Sequence, residues 1–294
     1  MMLFGEHAVL QQKKAIVLAI NQRIQVTLVP RSDQQVLISS TLGRFEKSLD
    51  KIAIEKPFQF ILAAIINVRP LLTTGFELKV ESQFASDLGL GSSAAITVAT
   101  VAVLAQYLRD EIKLDDIFIK ARNIVEAVQG IASGADVAAS VYGGIIVYQM
   151  QTPFILKRFA SDMPIVAVYS GVKTPTVQVI QTVQTRCAIY PEVYEKLFEA
   201  IDCVVNAAIP CLEEKNWQQL GLLLQMQQGI MNALGVGTKQ LDELVYLLNA
   251  TPGIYGAKIS GSGLGDCVIG IGSASFLHEK EILVKISEDG LKCE

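Results

Sequence analysis

Two rhythms of apolar and polar positions divide this chain into elements. "RIQVTLV" (23–29) and "FELKVES" (76–82) alternate with period two, the signature of half-buried strands. Short apolar runs at 15–28 and 35–39 belong to the same region. Helical spacing appears at 58–68, from Ser92 onward in a small-residue apolar run, and at 114–129, where Asp115 is an N-cap or first-turn acid. "GGIIVYQM" (143–150) and "PIVAVYS" (164–170) predict strands, and "QTPFILKRFASDMP" (151–164) predicts a crossover between two domains. Long helices follow at 191–215, 217–234 and 241–249, the last with Leu241, Leu244, Val245 and Leu248 on one face. "YGAKIS", a glycine cluster and "CVIGIGS" close the chain as strand, loop and strand. Strands and helices in both halves predict an α+β fold with two domains, 1–155 and 156–294, sharing a cleft.

Composition narrows the function classes. The chain has 294 residues, 51% hydrophobic and 18% charged, long enough for one large or two ordinary domains. A net charge of -4 with no basic block argues against a nucleic-acid surface. Cysteines 187, 203, 211, 267 and 293 form no C-x-x-C pair and read as reduced thiols. Two histidines leave little material for a zinc site. The run 92–108 is shorter than the roughly 20 apolar residues of a membrane span, and it contains Ser, Thr and Gln. With no signal peptide visible, a cytoplasmic location without a membrane partner is expected.

Four segments carry candidate chemistry. In "LGLGSSAA", Gly89, Gly91, Ser92 and Ser93 stand immediately before the apolar helix. A helix start offers free N–H groups and partial positive charge, and glycines let a polyanion approach them. A phosphate-binding loop and a Ser-capped core helix are both open readings; no Lys follows, so it is not a Walker loop. In "GIASGADVAASVYGG" (130–144), Asp136 is a candidate proton acceptor from a hydroxyl, or a capping acid. Glu126 lies one turn before Gly130, as a second acid for Mg²⁺ or as a solvated surface acid. The glycines of "KISGSGLGDCVIGIG" (258–272) allow a hairpin tip to lie over a ligand, or merely a loose hairpin. In "FGEHAVL", Glu6 and His7 lie between apolar residues, where a buried, satisfied histidine is the alternative.

Taken in order, "GEHAVL", "GLGSSAA", "GIASGAD" and "KISGSGLGD" resemble the signature set of the GHMP kinases, over 5–272. Within that superfamily, "GEHAVL", "GIASGAD" followed by "GG", "SGVKTPT" and "MNALGVGTKQLDEL" are most similar to the mevalonate kinase branch; phosphomevalonate kinases are the nearest competitors. The resemblance implies an N-terminal domain like the second domain of ribosomal protein S5 and a ferredoxin-like C-terminal domain. It implies ATP and Mg²⁺, and phosphorylation of the 5-hydroxyl of (R)-mevalonate; homodimers are frequent in the family. It places ATP phosphates on Gly89, Leu90, Gly91, Ser92, Ser93 and Ala94, and the catalytic aspartate at Asp136. Substrate contacts fall on His7, Glu6, Thr176, Gly261 and Ser262, and the metal on Ser93 and Glu126. The family's metal-binding glutamate aligns with Val125, one position before Glu126. Its catalytic lysine would fall one place before Met1, so the expectation is a first strand cut at its start, or Lys173, Lys13 or Lys14 supplying the charge. The alternatives are another GHMP small-molecule kinase, or a weakly catalytic ligand sensor on the same fold.

Overall fold

Period-two alternation becomes a sheet where the sequence predicts it. The computed structural model describes residues 1–84, 88–160, 162–274 and 280–294. Strands β1 (Met2–Phe4), β2 (Ala15–Leu18), β3 (Ile24–Pro30), β4 (Gln35–Ser40), β5 (Gly43–Ser48) and β6 (Phe76–Ser82) occupy the first part of the chain. Helix α1 (Gln59–Val68) precedes β6, and α2 (Ser92–Tyr107), α3 (Leu114–Gln129) and α4 (Ala135–Tyr142) follow it. Strands β7 (Ile145–Tyr148), β8 (Ile155–Phe159) and β9 (Ile165–Tyr169) come next, then helices α5 (Thr176–Ile189), α6 (Pro191–Glu213), α7 (Trp217–Leu234) and α8 (Lys239–Ala250). Strands β10 (Ile254–Ser260), β11 (Cys267–Gly272) and β12 (Glu281–Ile282) complete the α+β fold.

The chain packs into two units that do not follow sequence order. One comprises residues 22–85, 91–142 and 290–294; the other comprises 1–21, 86–90 and 143–289. These packing units interleave along the chain, whereas the expected division near 155 is one of sequence order. The reason is strand pairing: β2 runs antiparallel to β7, Ala15 opposite Tyr148 and Leu18 opposite Ile145, which draws the chain start into the later unit.

In the first unit, a sheet of order β3-β6-β4-β5 lies with α1, α2, α3 and α4. Helix α2 touches α1, α3, α4 and β3, so it is apolar on nearly every side. Its buried Thr97 and Thr100 hydroxyls donate to the carbonyls of Ser93 and Ile96, 2.7 Å each, which makes them tolerable inside. No described helix is long and apolar enough to cross a membrane.

The second unit holds two sheets, β1-β2-β7-β8 and β10-β11-β9-β12. Strand β8 and helix α5 add to the sequence reading, which gave 151–164 as a crossover and no helix between 170 and 191. The "ILKRF" of β8 has mostly exposed side chains and, among the described residues, pairs only with β7, as an edge strand does. Helix α7 lies against β10 and α6. It meets β10 at two glycines: a Cβ on Gly256 would stand 2.0 Å from the Gly221 carbonyl oxygen, and one on Gly221 would stand 2.4 Å from the Tyr255 oxygen.

Candidate active site

In the first unit, the head of α2 and the start of α4 lie side by side. Gly91 is the N-cap of α2, with φ 79° and ψ 27° and no side chain to close the helix end. The Ser-capped reading is thereby excluded, since Ser92 and Ser93 are already inside the helix. The Ala95 amide donates to the Gly91 carbonyl at 3.1 Å, so the amides before it, of Ser92, Ser93 and Ala94, precede the first intrahelical bond. A Cβ on Gly91 would stand 3.5 Å from Asp136 Cγ and 3.7 Å from its Oδ1. The carboxylate thus hangs beside an open helix N-terminus.

Asp136 is exposed, in the first turn of α4. It is not the cap of that turn: the Ser133 hydroxyl accepts from the Ala135 amide at 3.3 Å. No side-chain hydrogen bond or ion pair engages the Asp136 carboxylate among the described residues. The far end of α4 is anchored, because the Tyr142 hydroxyl donates to Asp115 Oδ1 at 2.5 Å and its ring lies 5.9 Å from that of Phe118. Burial and this acceptor both hold the Tyr142 phenol above its ordinary range. Glu126 is exposed on α3, while Val125, where the family glutamate aligns, is buried. Ser93 is half-buried in the first turn of α2. Among the described residues, no group of three or more His, Cys, Asp or Glu gathers as a metal cage.

The second unit holds the other predicted residues, around Gly5–His7 and the β10–β11 connection. Gly5 has φ 96°, and a Cβ there would stand 2.5 Å from Ala15 Cα, so only glycine fits. The turn it makes buries both residues that follow. Glu6 is 1% exposed, and its two oxygens accept from Lys258 Nζ and Gln227 Nε2. Both oxygens of Glu6, a residue expected to meet substrate, are thus engaged within the enclosed interior. His7 takes φ 60° and its Nε2 lies 2.8 Å from the Ser262 carbonyl oxygen. Burial pushes the imidazole below its ordinary pKa, outweighing the Ser262 bond and the Glu6 charge. Burial likewise pulls the Lys258 ammonium down, against the opposing pull of Glu6.

The connection between β10 and β11 is a chain of left-handed residues: Gly261, Gly263, Leu264 and Asp266 all have positive φ. Gly261 faces open space, whereas a Cβ on Gly263 would stand 2.6 Å from the Val236 carbonyl. The Ser262 hydroxyl is buried with no hydrogen-bond partner among the described residues. Asp266 is buried against Gly89, whose added Cβ would stand 2.6 Å from the carboxylate. Leu90 is buried beside it in the chain. The Cys267 thiol donates to the Leu88 carbonyl at 3.1 Å, and burial pushes its pKa up to about 12. Thr176 is exposed at the start of α5, and it is Thr174 whose hydroxyl ties that segment to Leu264, at 2.8 Å. Of the three candidate lysines, Lys14 is held on α6 by Asn206 at 2.6 Å, and Lys173 acts electrostatically on Cys267.

Lys258, Gln227 and Asp266 are the residues that sequence reasoning missed. The only hint was polar alternation in "KISGS", with Lys258 set among apolar neighbours.

Chemically, the head of α2 suits an anion and the adjacent Asp136 suits a proton acceptor. A phosphate there would meet the Asp136 charge, so the pair calls for a cation between them.

Comparison with known proteins bears on this chemistry. The GHMP kinases N terminal domain matches residues 59–144 and the GHMP kinases C terminal domain matches 208–288. The chain is 30% identical to a mevalonate kinase of Pyrococcus abyssi, covering 99% of this chain and 95% of that one. It is 32% identical to a mevalonate kinase of Methanothermobacter thermautotrophicus, covering 91% and 86%. The Methanococcus jannaschii mevalonate kinase structure superposes with a TM-score of 0.78 at 25% identity, covering 92% of this chain and 88% of that one. A Lactococcus lactis galactokinase complexed with galactose reaches a TM-score of 0.80 at 17% identity, over 92% and 83%, a likeness of fold alone.

Proposed function

Because the chain belongs to the GHMP kinases, we propose that it transfers the γ-phosphoryl group of ATP to the 5-hydroxyl of (R)-mevalonate, giving 5-phosphomevalonate and ADP. The relatives that are 30–32% identical over nine-tenths or more of the chain are mevalonate kinases, which supports that substrate. The observation that carries the chemistry is the juxtaposition of Gly91 and Asp136: an open helix N-terminus beside an unengaged carboxylate. Phosphoryl transfer needs positioning and charge stabilisation more than covalent chemistry, and these two parts supply both.

In this reading, Gly89, Leu90, Gly91 and the amides of Ser92, Ser93 and Ala94 hold the ATP phosphates. Asp136 accepts the proton of the 5-hydroxyl as the oxygen attacks the γ-phosphorus, and the bond to the bridging oxygen of ADP breaks. His7 and the Gly261–Ser262 turn contact mevalonate, with Thr176 at the margin. Glu6 holds its neighbour in place rather than touching substrate. The donor chemistry fits Mg²⁺: hard oxygens of Ser93 and a carboxylate, with phosphates completing the shell instead of a protein cage. Ser93 and Glu126 are the residues that would hold it, and the ion would neutralise phosphate charge near Asp136. The family-domain division near residue 155, action in the cytoplasm and a homodimer belong to the same proposal.

The test is a coupled ADP-release assay against mevalonate, phosphomevalonate, galactose and homoserine. Turnover with mevalonate at a kcat/KM at least about a hundredfold above the others is expected. Preference for phosphomevalonate would move the substrate assignment one step, and no turnover with any of them would end the kinase reading.

A further inference from the structure

Transfer as described employs Asp136, the head of α2 and the His7 ring, but it leaves a buried charge cluster unused. Lys258 is fully enclosed on β10, and Glu6 is 1% exposed. Such a pair rarely stabilises a fold better than apolar side chains of equal volume, so its burial asks for another purpose.

Strand β10 and the turn after it supply one. Lys258, Ser260 and Ser262 are spaced two apart in "KISGS", and all three engage the N-terminal segment. Lys258 donates to Glu6, the Ser260 hydroxyl donates to the Met2 carbonyl at 2.9 Å, and the Ser262 carbonyl accepts from His7 Nε2 at 2.8 Å. Gln227, from α7, closes the second oxygen of Glu6. His7 sits at φ 60°, a conformation that a non-glycine residue keeps only when its surroundings over-determine it. A carbonyl can only accept, so the proton is on Nε2. In the neutral ring that burial favours, Nδ1 is then a lone-pair acceptor, and no partner engages it among the described residues.

We propose that Lys258 is a positioning residue: by gripping Glu6 from inside, it fixes the adjacent His7 in one orientation and one tautomer, so that Nδ1 accepts a hydrogen bond from a substrate hydroxyl. This rests on His7 contacting mevalonate, the reading given above. The lock itself is independent of that reading and can be observed without turnover.

Two measurements on the full chain test it. The first is long-range ¹⁵N–¹H spectroscopy of the imidazoles, with His278→Gln identifying the His7 signals. Wild type should show a single Nε2–H pattern, and Glu6→Gln/Lys258→Met should show a mixed one. The second is steady-state kinetics: in the double variant, the KM for mevalonate should rise about tenfold while that for ATP stays within about twofold. The double substitution is used because Lys258→Met alone strands a buried carboxylate. A folded double variant with an unchanged mevalonate KM and a single tautomer overturns the proposal. If the double variant does not fold, Glu6→Gln decides, since it removes the charge that Lys258 grips and keeps the size of the side chain. A mevalonate KM raised about threefold supports the role, and an unchanged one overturns it. Loss of the single tautomer in a chain that never phosphorylates mevalonate would uphold the lock and dismiss the substrate.

Discussion

The head of α2 and the knot around Glu6 use the same materials, glycine and charge, to opposite ends. At Gly91 the missing side chain leaves a helix end open, and Asp136 beside it is exposed and unengaged. At Gly5 the missing side chain lets two backbones touch, and the Glu6 that follows is enclosed and doubly bonded. An open charge can accept a proton or face a ligand, whereas a saturated one can only hold its neighbours. Burial and saturation thus separate residues that react from residues that position, a distinction that residue type alone does not make.

The sharpest cut through this contrast is Asp136→Asn. Removing the acceptor while keeping the shape should lower kcat by about 10³, with nucleotide affinity by calorimetry within about twofold. Turnover near wild type would mean that the open carboxylate is not the reacting one. Gly89→Ala is next. Its methyl would overlap the buried Asp266 carboxylate at φ 70°, so urea unfolding should show a loss of roughly 2–4 kcal/mol. Gly130→Ala is the control: φ is 81° there but nothing lies within 4 Å, so only the left-handed conformation is penalised, about 1 kcal/mol.

A pH titration of stability probes the closed region. The folded pKa of His7 lies below its unfolded value of 6.5, so below pH 6.5 the unfolded chain binds the extra proton. The stability that burial of neutral His7 allows is complete above pH 6.5 and declines as pH falls from there toward the lowered folded value. The slope due to this group approaches at most about 1.4 kcal/mol per pH unit, and His7→Gln should flatten it. Identical slopes in both proteins would show that the ring is not shielded. Glu126→Gln should matter least: exposed carboxylate contacts are worth under about 1 kcal/mol, so half-saturating Mg²⁺ should rise by no more than about fivefold.

What the sequence made legible follows from locality. Helices α3 and α7 were readable to their ends because apolar spacing and a closing glycine, Gly130 or Gly235, mark them within one window. The glycine loops were readable because glycine reports a backbone requirement directly. Helix α5 was not, since Val179, Ile180 and Val183 are its only buried residues among glutamines and threonines. The purpose of Lys258 was hidden for a different reason. A lysine in a strand reads as a solvent position, and the Glu6 that overturns this stands 252 residues earlier. Gln227, another 221 residues from Glu6, is equally remote. Long-range pairing of charge leaves no trace in any local window.

The crossing of α7 over β10 at Gly221 and Gly256 reaches beyond packing. Six residues along the same helix, Gln227 bonds the carboxylate of Glu6, and Gln228 accepts from the Ile259 amide at 2.9 Å. A methyl at either crossing would prise helix from strand and draw both amides away from their partners. Two absent side chains therefore act as the fulcrum on which distant charges balance, and natural variation at 221 and 256 should be as restricted as at any residue that handles phosphate.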